Sequence, residues 1–185
     1  MVALLGAGCS GSRASNMQTP VATPSSTEVG TPLSEDMLKN LTYPAGNGFD
    51  FSTIHLSDGD ESFTDAQGNP AGYAQIGPAI GYGDLNGDGT QDAVVTVYVN
   101  TGGTGVWPLT YVVMNDRGTP KPYLSDLPDL QDRDLVDGIR IQGSEVTFEL
   151  TVHGTNDPAC CPTVKETQTY RFLNVGSKTF FKRES

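Results

Sequence analysis

Residues with oxygen-bearing side chains recur at short intervals in one segment of this chain of 185 residues. Oxygen atoms at positions one, three, five, seven and nine of the segment come from Asp84, Asn86, Asp88, Thr90 (through its backbone carbonyl) and Asp92. Ca²⁺ is a hard cation that takes about six to eight oxygen ligands in proteins. The spacing therefore predicts a calcium-binding loop. The alternative is an Asn-Gly or Asp-Gly turn that holds no metal.

The residues around this loop predict a structural ion rather than a catalytic one. Gly87 and Gly89 permit the positive φ angles that let a chain fold around a cation. The apolar run 93–99 follows directly, so the loop leads into a strand. An EF-hand requires a glutamate at position twelve and a helix on each side, whereas Val95 stands at that position here. The predicted site is thus a calcium loop flanked by strands.

Two adjacent cysteines, Cys160 and Cys161, form a second segment that could do chemistry. The chain has one other cysteine, Cys9. If Cys9 carries a lipid, Cys160 and Cys161 can pair only with each other or with another molecule. A vicinal disulfide, two free thiols and an intermolecular bridge all remain open, and an exported protein would meet an oxidising compartment. Zinc binding together with His153 and Asp157 is disfavoured, because adjacent cysteines seldom both reach one tetrahedral ion.

An apolar stretch that ends in a cysteine opens the chain. Residues 2–8 are apolar or small, and Cys9 and Ser10 follow them. The stretch resembles the end of a bacterial lipoprotein signal peptide, in which Cys9 would be lipidated and become the mature N-terminus. The pattern departs from the usual one in two ways: Gly6 stands where Leu or Val is common, and no Lys or Arg precedes the apolar run. An incidental cysteine in an apolar terminus is the alternative.

Composition divides the chain into three parts. Residues 1–9 read as a signal remnant that ends at the lipobox cysteine, and residues 10–32, rich in Ser, Thr and Pro, predict a disordered tether. Residues 33–185 predict a single β-rich domain. This layout predicts an exported protein that is lipid-anchored to the bacterial cell membrane or outer membrane.

The charge and the layout also limit the partners. The net charge of −11 would repel phosphate backbones, so nucleic acid is not an expected partner. The expected partners are the membrane, reached through the lipid on Cys9, and an unknown envelope protein or small ligand. The domain itself is expected to be a monomer.

Short β-branched and aromatic runs between Gly, Asn and Asp predict a strand-rich domain. Ser34 and the acidic residues after it predict a short helix that reaches residue 41. Strands are predicted at residues 51–56, 73–83, 93–100, 106–115, 136–142, 145–153, 163–172 and 179–182. The fold class is therefore mainly β, an antiparallel sheet or half-barrel of about seven to nine strands with one short N-terminal helix.

Three sequence motifs carry a resemblance to a known family. In order they are GDLNGDG at residues 83–89, TGGTG at residues 101–105 and HGTNDPACCPT at residues 153–163. Together they resemble an uncharacterised domain of exported bacterial lipoproteins, sometimes found beside META-type domains, and more remotely lipoproteins of the LppP/LprE type. The resemblance implies location and fold class but no catalytic residues. One departure is that residues 132–134 read Asp-Arg-Asp where such domains usually have Gly-Asp-Arg.

Two classes of function remain. In the first, the domain is a calcium-stabilised module that binds a ligand or partner, or has a structural role, in the cell envelope. In the second, it is an envelope enzyme or thiol-redox protein that uses Cys160, Cys161 and His153. No nucleophile elbow or zinc-protease motif is present, so no catalytic residue is predicted and an enzyme is the less favoured reading. Tyr98, Trp107 and Tyr111 could stack on a sugar, but aromatic residues at such strand positions more often lie in the core.

Overall fold

The computed structural model describes residues 30–126, 128–175 and 178–183. The predicted lipobox Cys9, the signal remnant and all but the last residues of the predicted tether lie outside this range. The described part is 55% strand and 3% helix, which confirms the mainly β fold class. No helix in the described ranges is long and apolar enough to cross a bilayer.

The described residues form one helix and eleven strands. The N-terminal half contains α1 (Glu35–Lys39), β1 (Thr42–Pro44), β2 (Thr53–His55), β3 (Asp60–Thr64), β4 (Pro70–Gly83), β5 (Asp92–Asn100) and β6 (Trp107–Asp116). The C-terminal half contains β7 (Thr119–Ser125), β8 (Leu135–Gln142), β9 (Glu145–Val152), β10 (Val164–Val175) and β11 (Lys178–Arg183).

A five-stranded antiparallel sheet in the order β3-β4-β5-β6-β7 forms the centre of the domain and curls into a half-barrel. Its middle strand, β5, is buried on both faces, which explains why residues 93–97 are apolar except for Thr96. A four-stranded sheet in the order β11-β10-β9-β8 covers one face, and the helix with the β1–β2 pair covers the other. The central sheet therefore separates two apolar cores.

Each core has its own set of large buried side chains. The core under the helix includes Leu38, Tyr43, Ile54, Val95, Val97 and Tyr111. The core between the two larger sheets includes Val94, Val112, Phe148, Leu150 and Tyr170. In the first core the hydroxyl of Tyr43 donates to the carbonyl of Leu38, and that of Tyr111 donates to the carbonyl of Pro44, each at 2.8 Å. Both buried tyrosines thus satisfy their polar atoms while they join the helix and β1 to the sheet.

Two glycines let β8 approach β4 closely. A Cβ atom at Gly81 would lie 2.5 Å from a methyl group of Ile139, and one at Gly83 would lie 2.5 Å from a methyl group of Ile141. Contacts this short do not occur, so any larger residue at these positions would push the two sheets apart. The end of β4 that leads to the predicted calcium loop is therefore held firmly.

The element boundaries differ from the predictions in a few places. The structure has three strands that were not predicted, namely β1, β3 and β7. The helix ends at Lys39 rather than at residue 41, because Asn40 is its C-cap and the Asn40 side chain donates to the carbonyl of Asp36 at 2.9 Å. Ser34 is the N-cap, as predicted, and its hydroxyl accepts from the amide of Met37.

Candidate metal loop and cysteine loop

The predicted calcium ligands lie in the connection from β4 to β5, residues 84–92, which we call the acidic loop. Its first carboxylate, Asp84, accepts three backbone N–H groups. One oxygen accepts from the amides of Gly87 and Asp88 at 2.7 and 3.2 Å, and the other accepts from the amide of Gly89 at 2.9 Å. Gly87 and Gly89 have φ angles of 76° and 84°, which confirms that the turn needs glycine there. Asp84 therefore sets the curvature of the loop.

The middle of the acidic loop is a second set of short-range hydrogen bonds. The Asn86 side-chain oxygen accepts from the amide of Asp88 at 2.9 Å, and its amide group donates to the carboxylate of Asp88 at 2.8 Å. The other oxygen of Asp88 accepts from the amide of Thr90 at 2.7 Å and from its hydroxyl. Asn86 and Asp88 are exposed, so their oxygens are open to solvent ions as well, whereas Thr90 is buried.

Asp92 differs from the other acidic residues of the loop because it is completely buried. One oxygen accepts from the amide of Leu85 at 3.0 Å, and the other accepts from the amide of Asn115 at 2.9 Å. The side chain of Asn115 in turn donates to the carbonyls of Thr31 and Gln91 and accepts from an amide of the β6–β7 turn. Asp92 and Asn115 thus connect the acidic loop to the neighbouring turn through buried polar contacts.

The electrostatics of the acidic loop favour a cation. Burial raises the pKa of Asp92, and the nearby carboxylates of Asp88 and Asp84 raise it further. The hydrogen bond from the Thr90 hydroxyl lowers the pKa of Asp88, so this carboxylate stays ionised. None of the ion pairs in the described part of the chain involves these three aspartates. Their mutual repulsion is therefore not offset by a neighbouring Lys or Arg.

The loop has oxygen donors of the kind that calcium binds, on the exposed Asn86 and Asp88 and on the partly buried Asp84. In the described ranges, no three or more His, Cys, Asp or Glu side chains form a group that could hold a metal ion. The buried position of Asp92 accounts for part of this, because its carboxylate points at two backbone amides. Asn86 and the Thr90 carbonyl would add a side-chain amide oxygen and a backbone oxygen to the carboxylates. Calcium binding by the loop remains a prediction.

The adjacent cysteines lie in the connection from β9 to β10, residues 153–163, which we call the cysteine loop. The sulfur atoms of Cys160 and Cys161 are 2.22 Å apart, at bonding distance, and both residues are exposed. Asp157 organises the loop, because its carboxylate accepts from the amides of Gly154 and Thr163 at 2.9 and 2.8 Å and from the Thr163 hydroxyl. Asp157 is thus engaged by the loop itself rather than free to be a zinc ligand.

Arg133 connects the cysteine loop to the β5–β6 loop. Its guanidinium group donates to the carbonyl of Ala159, directly before Cys160, at 2.6 Å, and to the carbonyl of Thr104. Arg133 has a φ of 64°, a conformation that costs energy for any residue but glycine, Asn or Asp. The neighbouring Asp132 accepts from the amide of Val106 at 2.6 Å, so this whole segment holds the β5–β6 loop in place.

His153 lies at the start of the cysteine loop but faces a buried carboxylate. Its ring Nδ1 is 3.3 Å from an oxygen of Asp134, whose side chain is only 3% exposed. The other ring nitrogen, Nε2, is buried and has no hydrogen-bond partner in the described part of the protein. The histidine is therefore held by the Asp134 carboxylate, and its side chain is about 25% exposed although Nε2 is buried.

The three aromatic residues considered for sugar stacking do not share a surface. Tyr111 is fully buried, and the hydroxyl of Tyr98 accepts from the amide of Val136. Trp107 is 46% exposed and borders an apolar cleft of about 380 Å³. Its other walls are formed by residues 45–48, Phe49, Pro108, Leu109, Leu124 and Leu130.

Three residues that support these loops were not predicted from the sequence: Asn115, Arg133 and Asp134. Asn115 read only as part of an Asn-Asp-Arg-Gly turn, and nothing in that pattern tells a buried asparagine from an exposed one. The Asp-Arg-Asp sequence at residues 132–134 did stand out against the resembling family. Its structural meaning depends on contacts with loops about 20 to 30 residues away, which spacing alone does not reveal.

Comparison with known proteins adds nothing to this geometry, since the chain matches no family model, no curated protein and no solved structure. The resemblance to exported lipoprotein domains therefore stays a prediction from its three motifs.

Proposed function

We propose that this chain is an exported lipoprotein of the bacterial cell envelope whose β domain is stabilised by calcium and serves as a binding or structural module. The observation that carries the calcium part is the arrangement around Asp92. A buried carboxylate lies within electrostatic reach of Asp84 and Asp88, and no cationic side chain of the described part pairs with any of the three. A divalent cation would offset this repulsion.

Asp84, Asn86, Asp88, the Thr90 carbonyl and Asp92 would hold the ion. Bound calcium would supply charge neutralisation and fix the loop, and it would take no part in a reaction. Extracellular calcium modules bind with dissociation constants of about 10⁻⁴–10⁻³ M. At a tenfold excess over such a constant, the folded state would gain about 1.4 kcal/mol. That increment is large enough to measure and small enough for the domain to fold without the ion.

The loop can affect the whole domain because it is attached on both sides. Asp92 begins the central strand β5, and Asn115 joins the loop to the end of β6. An ion that orders residues 84–92 would therefore stiffen two adjacent strands of the central sheet.

The apolar cleft beside Trp107 is the described surface best suited to a small ligand, since its walls are apolar and the indole ring is half exposed.

Thermal unfolding of the full chain in excess Ca²⁺, in excess Mg²⁺ and in chelator tests the calcium proposal. We expect a rise of a few degrees in melting temperature with Ca²⁺ and a much smaller rise with Mg²⁺. Asp88→Ala should abolish the difference, and Asp50→Ala, at an exposed aspartate outside the loop, should keep it. Equal melting temperatures in calcium and in chelator would reduce the acidic loop to a metal-free turn.

Membrane fractionation tests the anchoring part. We expect the chain, expressed in a bacterial host with its own N-terminus, to be in the membrane fraction and to carry acyl chains on Cys9 by mass spectrometry. Cys9→Ser should move the protein to the soluble exported fraction. If the Cys9→Ser protein stays in the membranes as before, the lipidation proposal is wrong, whatever the calcium result.

A further inference from the structure

We propose that Cys160 and Cys161 form a thiol–disulfide exchange site that accepts two electrons from a dithiol and can be reduced and reoxidised while the domain stays folded. This goes beyond the calcium and anchoring proposals and does not depend on them. Three features of the structure carry it: the exposure of both cysteines, a loop that is held by other contacts, and an arginine beside the pair.

The first feature is access. A thiolate must reach one sulfur of a disulfide in line with the bond, so buried disulfides react slowly. Cys160 and Cys161 are both exposed, and they lie at the outer part of the cysteine loop rather than under a strand. A small dithiol can therefore reach either sulfur without unfolding the domain.

The second feature is that the fold does not depend on the bond. A disulfide stabilises mainly by closing a loop in the unfolded chain, and a bond between adjacent residues closes only one peptide unit. The cysteine loop is held instead by the carboxylate of Asp157, which accepts from Gly154 and Thr163. The amide of Cys161 also donates to the carbonyl of Pro158 at 2.9 Å. These contacts remain available after the sulfurs separate.

The third feature is a positive charge beside the pair. The guanidinium group of Arg133 donates to the carbonyl of Ala159, the residue before Cys160, at 2.6 Å. A cation near a cysteine lowers the pKa of its thiol, and a thiol with a lower pKa leaves faster in exchange. The guanidinium group also lies 3.6 Å from the carboxylate of Asp132, which offsets part of its charge. Arg133 is thus a positioning residue, which holds the loop and favours departure of a thiolate with the charge that remains.

The exchange is balanced as follows. One thiolate of the dithiol attacks one of the two sulfurs, the Cys160–Cys161 bond breaks, and the electron pair leaves on the other cysteine. The second thiol of the dithiol then attacks the mixed disulfide and releases the first cysteine. The dithiol becomes a cyclic disulfide, and its two protons end on Cys160 and Cys161. The reductant in the cell envelope would be a dithiol of this chemical class.

Reduction should also be visible at Trp107, the only tryptophan of the chain. Arg133 joins the cysteine loop to the carbonyl of Thr104 in the β5–β6 loop. Gly105, two residues before Trp107, lies close to the indole: a Cβ at Gly105 would be 3.3 Å from the indole nitrogen. A change in the cysteine loop can therefore reach the indole through Arg133 and the β5–β6 loop.

The test uses the full chain with Cys9→Ser, so that only two cysteines remain. The folded protein is equilibrated with mixtures of reduced and oxidised dithiothreitol, trapped with iodoacetamide and weighed intact. We expect no alkylation before reduction, two alkyl groups after it, full reversal on reoxidation, and a change in Trp107 emission along the same titration. The melting temperature should be nearly the same in the two forms, since the bond closes only one peptide unit.

Two results would overturn the proposal. One is alkylation of both cysteines without any reductant, which would mean two free thiols. The other is reduction that begins only in urea, which would mean a disulfide that the native fold protects. A chain with Cys160→Ser and Cys161→Ser is the control, and it should show no fluorescence response to dithiothreitol.

The role of Arg133 has its own readout. Arg133→Gln should slow cleavage by dithiothreitol, because a leaving thiol with a higher pKa departs more slowly. It should also move the pH profile of alkylation of the reduced protein to higher pH, whereas Arg133→Lys should restore much of the original profile. An unchanged pH profile in Arg133→Gln would show that the arginine only holds the loop.

Discussion

The acidic loop and the cysteine loop are each shaped by an aspartate that accepts backbone N–H groups, but they are attached to the fold differently. Asp84 in the first and Asp157 in the second each accept several backbone N–H groups of their own loop. The acidic loop adds Asp92, a fully buried carboxylate at the start of the central strand. The cysteine loop contacts a buried carboxylate, Asp134, at its first residue, His153, but its outer part around the cysteines is attached through Arg133, which is 22% exposed. An aspartate can shape a loop anywhere, but burial decides whether the loop contributes to global stability.

The difference also separates the two proposals. A change in the acidic loop should alter the free energy of unfolding of the whole domain, because its contacts end in the core. A change in the outer part of the cysteine loop, at Asp157, Cys160 or Cys161, should alter local chemistry and leave that free energy nearly unchanged. The following predictions test this contrast, from the largest expected effect to the smallest.

Asp92→Ala should produce the largest loss. The substitution leaves the buried amides of Leu85 and Asn115 without acceptors, and each unsatisfied buried group costs about 1–3 kcal/mol. We expect a loss of about 3 kcal/mol in the free energy of unfolding, measured by urea denaturation in chelator. Asp157→Ala in the cysteine loop is the matched comparison and should change the urea midpoint far less. A similar loss in both variants would remove the proposed distinction between the loops.

Asn115→Ala should come next. It removes two donated hydrogen bonds, to Thr31 and Gln91, and one accepted from Gly118, and it should cost about 2 kcal/mol. Asn100 is a useful control, because it also makes three side-chain hydrogen bonds to its own loop but is only half buried. Asn100→Ala should lose less stability in the same urea experiment. A larger loss from Asn100→Ala would contradict the argument from burial.

The effect of calcium should depend on pH through Asp92. Burial raises its pKa in the folded state above the ordinary 3.8, so folding favours its protonated form. Without metal, this contribution is fully present below pH 3.8 and is lost as pH rises through the folded-state pKa. Calcium requires the ionised form, so the gain from calcium should grow over the same window.

The measurement is the difference in melting temperature between calcium and chelator at a series of pH values. We expect a small difference near about pH 4 and a full one at about pH 7, where the gain is about 1.4 kcal/mol at tenfold excess. The pKa of Asp88 is shifted in the opposite direction, because the hydrogen bond from the Thr90 hydroxyl lowers it, so Asp88 stays ionised. A calcium effect of equal size at both pH values would mean that Asp92 is not part of the site.

Much of the fold could be predicted from the sequence because most strands are apolar and bounded by turn residues. Strand β7 was missed because Pro120 and Pro122 argue against a strand. The strand tolerates both because it lies at the edge of its sheet, where alternate backbone N–H groups face away from the partner β6. Strand β3 was missed for a related reason, since Asp60–Thr64 is a short, polar edge strand with little apolar pattern.

The arrangement of the strands in two cores is less accessible to sequence reasoning. The apolar run in β5 predicts burial on both faces, but it does not say which elements cover them. The close approach of β8 to β4 depends on Gly81 and Gly83, and glycines in a strand are equally consistent with a bulge. In the acidic loop, spacing indicated all five candidate ligands but could not show that Asp92 points inward. That direction is set by the amides of Leu85 and Asn115, which only the folded chain brings together.

Gly89→Ala should have the smallest of these effects, and it isolates backbone conformation from contacts. Gly89 has a φ of 84° and nothing within 4 Å of where a Cβ would be, so the added methyl group meets no atom. The cost is the left-handed conformation alone, about 1 kcal/mol. Gly103 also has open space around it, and its φ is not positive. Gly103→Ala should therefore be neutral or slightly stabilising in urea denaturation. If both variants lose the same stability, the curvature of the acidic loop does not depend on its glycines, and the loop is more adaptable than its hydrogen bonds suggest.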